Sequence, residues 1–423
     1  MRDIAKDGLV ELLTDPQVKL IDARPSAAYN GWRLQGETRG GHIPGAVAFS
    51  AAWAKQVQTG TLKGELVEKK LTPGQELVVY GDNAEDGATL VEHLSALGYR
   101  NVANYGGGFP EWAADDRLPV DRLELHEQLV YPQWLRDLLD GRAVVGQPRS
   151  DYAVFHVNYG VPDEYGQGHI PGAFYLDSNT LESSTDWNRR SPEELKSALF
   201  EMGIMHDTTV IVYGRDTAAD PSEQKPGRTA GQIAATRAAA ILLYAGVGDV
   251  RLLDGGYNAW VAAGFEVETI TRTPSAGQAF GADIPARPEC FIDLDEAKEF
   301  LEDPNSVLVS IRSWAEHVGE TSGYNYIGDT GDIPGAVWGN CGTSAYDMQH
   351  YRNVDNTMRG FNEIRSNWEE VGVTPDKKVA FYCGTGWRAS EAFFYAYLMG
   401  WPRVAVYDGG WFEWSRQMLG SGG

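Results

Sequence analysis

Cysteine is scarce in this chain: Cys290, Cys341 and Cys383 are the only three in 423 residues. An odd number at wide spacing encodes neither a disulfide framework nor a CxxC metal pair, and it leaves at least one thiol free within the chain. Positive charge is also short. Lys and Arg number 36 against 59 Asp and Glu, a formal net charge of −23. Such a balance repels phosphate backbones and anionic bilayers, so nucleic acid and membrane are not expected as partners. The scattered histidines show no metal-ligand spacing, and neither a metal nor an organic cofactor is expected. No apolar run approaches the roughly 18 residues of a membrane span. The opening MRDIAKDGLVELLTDPQVKL carries acids where a signal peptide has its apolar core. That leaves the compartment open: cytoplasmic, or periplasmic if a leader has been removed.

What is present is an ordinary globular composition, 43 % hydrophobic and 22 % charged, in a chain too long for one core, since cores stop growing near roughly 250 to 300 residues. Internal repetition organises it. GHIPGA occurs at Gly41–Ala46 and again at Gly168–Ala173, and GDIPGA occurs at Gly331–Ala336. Each copy precedes a β-branched, aromatic run that reads as a buried strand: LVVYGD, VIVYGRD and VAFYCGTG. Each unit closes on a Gly-Gly turn with aromatics, GGFPEW, GGYNAW and GGWFEW, ending at Trp112, Trp260 and Trp414. The distance from Gly81 to Trp112 and from Cys383 to Trp414 is 31 positions, whereas Gly214 to Trp260 is 46. The middle unit therefore carries an insert, DTAADPSEQKPGRTAG, whose Pro, Gly and charge predict a surface loop. Helical periodicity follows each buried strand and a short strand follows the helix. This alternation predicts an α/β fold of three tandem domains, each a mainly parallel sheet flanked by helices. The boundaries are placed at 1–122, 123–274 and 275–423.

The chemistry concentrates in the third unit. Cys383 stands between an apolar strand and a helix, in the loop Cys383, Gly384, Thr385, Gly386, Trp387, Arg388. Two glycines allow successive N–H groups to turn inward, the helix adds its positive end, and Arg388 adds a full charge. All three favour thiolate over thiol. Four residues separate Cys383 from Arg388, one fewer than in cysteine phosphatases and arsenate reductases, so the ring suits a sulfur atom better than a tetrahedral oxyanion. The aligned positions in the first two units are Gly81 and Gly214, which cannot act as nucleophiles.

These landmarks together, GHIPGA, a six-residue loop opening with cysteine and a downstream DGGW segment, resemble the rhodanese superfamily. Their threefold repetition over nearly the whole chain, with IRSW at Ile311–Trp314 and YDGGW at Tyr407–Trp411, resembles its three-domain bacterial sulfurtransferases. The resemblance implies that Cys383 attacks the sulfane sulfur of a small anionic donor such as thiosulfate, releases sulfite and keeps a persulfide. A thiol, cyanide or a protein cysteine then takes the outer sulfur. The loop residues Gly384, Thr385, Gly386 and Trp387 would hold the persulfide, with Arg388 and Arg312 as anion-binding candidates. The alternative is a sulfur-relay protein whose inactive units dock a persulfide-bearing partner. Ser310 replaces the aspartate of the first unit's LIDAR. Glu316 stands where two-domain relatives often have a substrate-contacting arginine, which counts against mercaptopyruvate. His42 and His169 read as turn residues, since Asp332 takes that place in the third unit. Cys290 and Cys341 read as inert buried thiols, although Cys341 lies close enough in sequence to serve as a resolving thiol. Trp314, Trp338 and Trp411 read as packing.

Overall fold

The computed structural model describes residues 2–217, 231–277 and 279–418; most of the middle insert lies outside them. Three five-stranded sheets are present, all of their strand pairs parallel. The first contains β1 (Arg2–Ile4), β2 (Val18–Asp22), β3 (Val47–Ala48), β4 (Glu76–Tyr80) and β5 (Val102–Tyr105), in the order β1-β5-β4-β2-β3. The second contains β6 (Leu129–Val130), β7 (Tyr152–Asn158), β8 (Phe174–Asp177), β9 (Thr209–Tyr213) and β10 (Asp249–Leu253). The third contains β11 (Phe291–Ile292), β12 (Ser306–Ser310), β13 (Val337–Trp338), β14 (Lys378–Tyr382) and β15 (Val404–Tyr407). The second and third sheets repeat the order of the first, β6-β10-β9-β7-β8 and β11-β15-β14-β12-β13. Strands buried on both faces read as continuous apolar runs, which is why LVVY, VIVY and VAFY were recognisable.

Each Pro-Gly of the repeated hexapeptide makes a turn that needs φ above zero at its glycine: +82° at Gly45, +81° at Gly172 and +91° at Gly335. The histidines ahead of two of these turns are structural. His42 stacks on Tyr29 with ring centroids 3.7 Å apart and bonds its carbonyl through Nδ1 at 2.9 Å, and His169 repeats both contacts with Tyr165. In the first sheet Asp22, paired in register with Tyr80, accepts from Tyr80 Oη at 2.9 Å and from Arg24. In the third, Ser310 is paired with Tyr382, and the carboxylate has moved to Asp332, which accepts from Ser310, Tyr382 and Arg312. Loss of the acid at Ser310 and gain of one at Asp332 are thus one exchange.

The chain divides into two compact units. One comprises Met1–Glu127 and, from far along the sequence, Arg352–Ser366; the other comprises Gln128–Tyr351 and Asn367–Gly423. A segment that belongs to the third repeat by sequence is thus grouped with the first. Within the first unit, the buried Lys69 ammonium reaches Glu363 at 2.9 Å and Asn353 at 3.1 Å, and Arg359 reaches Glu65 at 2.6 Å. Asn362 bonds His42 and Asp121, each at 3.0 Å.

In the second unit the helix Gln232–Ala245, QIAATRAAAILLYA, is buried along its whole length and packs on the helix Trp387–Leu398. Its alanines permit close approach, and apolar residues all round are what a fully enclosed helix requires. The packing brings the buried Arg237 of the second repeat beside the cysteine loop of the third.

Candidate active site

Cys383 follows β14 directly and is fully buried. Its carbonyl and that of Gly384 accept from the N–H groups of Trp411 and Phe412, at 2.9 and 3.0 Å, so the Gly-Gly segment clamps the loop from below. Gly386, at φ +83°, starts the helix Trp387–Leu398. Among the described residues, no protein acceptor engages the N–H groups of Gly384 through Arg388. These open donors stand at a helix N-terminus, where backbone N–H groups lack intrahelical acceptors. A methyl group at Gly384 would lie 2.2 Å from the ring of Tyr324. Glycine is needed there for that ring to lie against the loop.

Tyr324 and Tyr326 both lie within electrostatic reach of Cys383. Burial drives the Tyr324 phenol well above its ordinary pKa, although Arg388 opposes the rise. Tyr324 accepts from Arg388 Nη2 at 2.8 Å, so its own proton remains free to be donated toward the loop.

For Arg388 the structure supplies a carboxylate partner that the sequence alone does not identify. Its guanidinium is buried and bonds Glu316 in a two-point fork, at 3.0 and 2.8 Å, with further bonds to Tyr324 Oη, the Ser344 carbonyl at 3.2 Å and Cys341 Sγ at 3.3 Å. Arg312 is equally committed, to Glu316, Asp332 and the Gly331 carbonyl. Glu316 stays below its ordinary pKa because Arg388 and Arg312 outweigh burial, which acts the other way. Both arginines neutralise a buried carboxylate, and Arg388 Nε keeps an N–H without a hydrogen-bond partner among the described residues. Cys341 lies within the same cluster, and burial pushes its thiol up to about 12. Cys290 is also buried and is pushed up to about 12. Trp338 donates to the Arg312 carbonyl, Trp411 donates to the Asp329 carbonyl, and Trp314 is exposed.

Sequence reasoning missed the contribution of the second repeat. Trp387 Nε1 donates at 2.9 Å to Glu182, a fully buried carboxylate that also accepts from Arg237 Nε at 2.9 Å. Arg237 Nη2 lies 2.7 Å from Asp408, in the Gly-Gly segment. Tyr159 and Trp187, also from the second repeat, join Tyr324, Tyr326 and Trp387 in a continuous series of aromatic contacts with centroid separations of 5.3 to 6.1 Å. No motif marks Glu182 or Trp187.

The Rhodanese-like domain matches three times, over residues 5–115, 132–263 and 293–417. The chain is 42 % identical over 98 % of its length to thiosulfate sulfurtransferase YnjE of Escherichia coli K12, covering 90 % of that protein. It is 46 % identical, with a TM-score of 0.95, to the anaerobic ergothioneine biosynthesis enzyme of Chlorobium limicola, solved with its natural substrate trimethyl histidine; the match covers 98 % of this chain and 97 % of that one. Identity, TM-score and coverage are the same for a tyrosine variant of EanB whose cysteine persulfide is in a tetrahedral intermediate state with ergothioneine.

Proposed function

The chain belongs to the rhodanese family and is a sulfurtransferase, and from that premise we propose that Cys383 carries sulfur from a small donor such as thiosulfate to a trimethylated histidine. In loading, the Cys383 thiolate attacks the sulfane sulfur, the S–S bond of thiosulfate breaks, and sulfite leaves with the electron pair. The persulfide anion is held by the open N–H groups of Gly384 to Arg388. In transfer, the outer sulfur bonds to the imidazole carbon, the persulfide S–S bond breaks and its pair returns to Cys383. The hydrogen leaving that carbon ends on a ring nitrogen of the thione product. Tyr324, kept protonated by burial, supplies a hydrogen bond to the sulfur that gains charge.

The observation that carries this reading is the aromatic series beside the loop: Tyr159, Trp187, Tyr324, Tyr326 and Trp387 are in continuous ring contact, while Arg388, Arg312 and Arg237 each have a carboxylate partner. A site built this way favours a quaternary ammonium acceptor, which aromatic faces attract by roughly 0.5 to 2 kcal/mol each. The similar enzyme of Chlorobium limicola acts on such a substrate.

The test is intact-protein mass spectrometry after brief exposure to thiosulfate, followed by addition of trimethyl histidine. The wild type gains one sulfur atom and then loses it as the thione appears, whereas Cys383→Ser gains none. Loading without thione formation would remove the acceptor reading. Absence of loading would point to a persulfide-bearing partner as donor.

A further inference from the structure

The second repeat has no nucleophile, yet it sends one short turn into the surroundings of Cys383. Glu182 and Arg189 pair across the base of that turn, and Trp187 stands near its tip. Trp187 adopts φ +64°, a left-handed conformation that a bulky side chain enters only when its surroundings force it. The turn is held by Trp187 N–H on the Ser183 carbonyl at 3.0 Å and by Arg237 Nη2 on the Trp187 carbonyl at 2.8 Å. Arg237 is in turn fixed by Glu182 and Asp408. Arg189 binds Asp408 twice, through its backbone N–H at 2.7 Å and Nη1 at 3.0 Å. The strained residue thus lays its ring against Tyr326, centroids 5.3 Å apart, and against Tyr159 at 5.5 Å. On the same carboxylate, Glu182 fixes the opposing ring by accepting from Trp387 Nε1.

We propose that this turn makes the second repeat the selector of the sulfur acceptor: Trp187 is a specificity-determining wall for a flat or quaternary-ammonium acceptor, and Glu182 and Arg237 are positioning residues that hold Trp187 and Trp387. A single buried carboxylate sets both tryptophans, so its loss disturbs the acceptor's seat without touching the nucleophile. The inference rests on the acceptor chemistry proposed above, but it is read through binding, so it can fail separately from thione formation.

The experiment uses the full chain loaded with persulfide, cyanide as a small acceptor lacking a ring, and benzyltrimethylammonium as a competing probe. The wild type should be inhibited competitively. Glu182→Ala and Trp187→Ala should raise the inhibition constant at least tenfold, with a several-fold smaller rise in the KM for cyanide. Glu182→Gln, whose amide oxygen still accepts from Trp387, should recover most of that loss, which a merely destabilised fold would not do. An uninhibited wild type, an unchanged inhibition constant in Glu182→Ala, or equal loss of cyanide transfer and probe binding would each overturn the proposal. Failure of trimethyl histidine to yield a thione, with the probe pattern intact, would remove the proposed acceptor and leave the selector standing.

Discussion

Replacing Glu316 with glutamine tests the reassignment of Arg388 most directly. The substitution keeps size and one acceptor oxygen but deletes the charge facing two buried guanidiniums. It weakens the two-point fork to Arg388, the 3.3 Å contact to Arg312 and the two bonds with Ser313 that start the helix Trp314–His317. Breaking a buried pair from one side costs about 3 to 5 kcal/mol, and the retained amide oxygen places this variant near 3. A local loss of about 3 kcal/mol speeds amide exchange through sub-global opening by about a hundredfold. Hydrogen–deuterium exchange over Trp387–Leu398 reads that change without assuming that a multi-domain chain unfolds in one step. A second outcome distinguishes the roles: with its carboxylate gone, Arg388 becomes an anion site, and thiosulfate at about a hundred times its dissociation constant should restore about 2.7 kcal/mol. In the wild type the depressed pKa of Glu316 means that the pair's stability is present above the unfolded value near 4.3 and is lost as pH falls below it. The variant should lack that acid limb. Exchange within twofold of wild type, with no protection by thiosulfate, would refute the argument that the pair holds the loop.

Further outcomes follow from other contacts. Gly384→Ala should abolish persulfide loading seen by mass spectrometry while leaving secondary structure by circular dichroism intact, because the new methyl displaces the Tyr324 ring. Lys69→Ala should speed amide exchange over Thr59–Glu68 by about tenfold or more, since Glu363 and Glu65 lose one of two buried counter-charges and keep Arg359. Burial raises Glu182 to about 7 despite Arg237. The folded chain therefore binds a proton there between about pH 4.5 and 7 that the unfolded chain does not, and stability contributed by this group falls as pH rises through that window. Glu182→Gln should flatten this part of the pH–stability curve.

Much of the fold was legible because it is local and repeated. GHIPGA fixes a turn, VAFY reads as a strand buried on both faces, and the cysteine between that strand and a helix places the nucleophile at a sheet's carboxyl edge. The spacing that exposed the middle insert is a property of chain length alone. Partners far apart in sequence were not legible. Arg388 meets Glu316 from 72 positions away and Trp387 meets Glu182 from 205, and no periodicity reports such pairings. The sequence offers Arg388 either to an anionic donor or to a carboxylate, and only the folded chain names Glu316 as its partner. Ser310 and Asp332 show the same limit: each substitution was visible, but their mutual compensation required both side chains in one place.

The discontinuous first unit bears on how the protein is made. Residues 1–127 emerge from the ribosome early, but the strand of chain that supplies Arg359, Phe361 and Glu363 follows more than two hundred residues later. Until then Lys69 and His42 lack the partners found in the finished molecule, and closing so long a loop is a slow, entropically opposed event. Synthesis of the last repeat thus supplies the partners of Lys69 and His42. A gene fragment ending at residue 122 would encode all five strands of the first sheet without the residues that pair with Lys69 and His42.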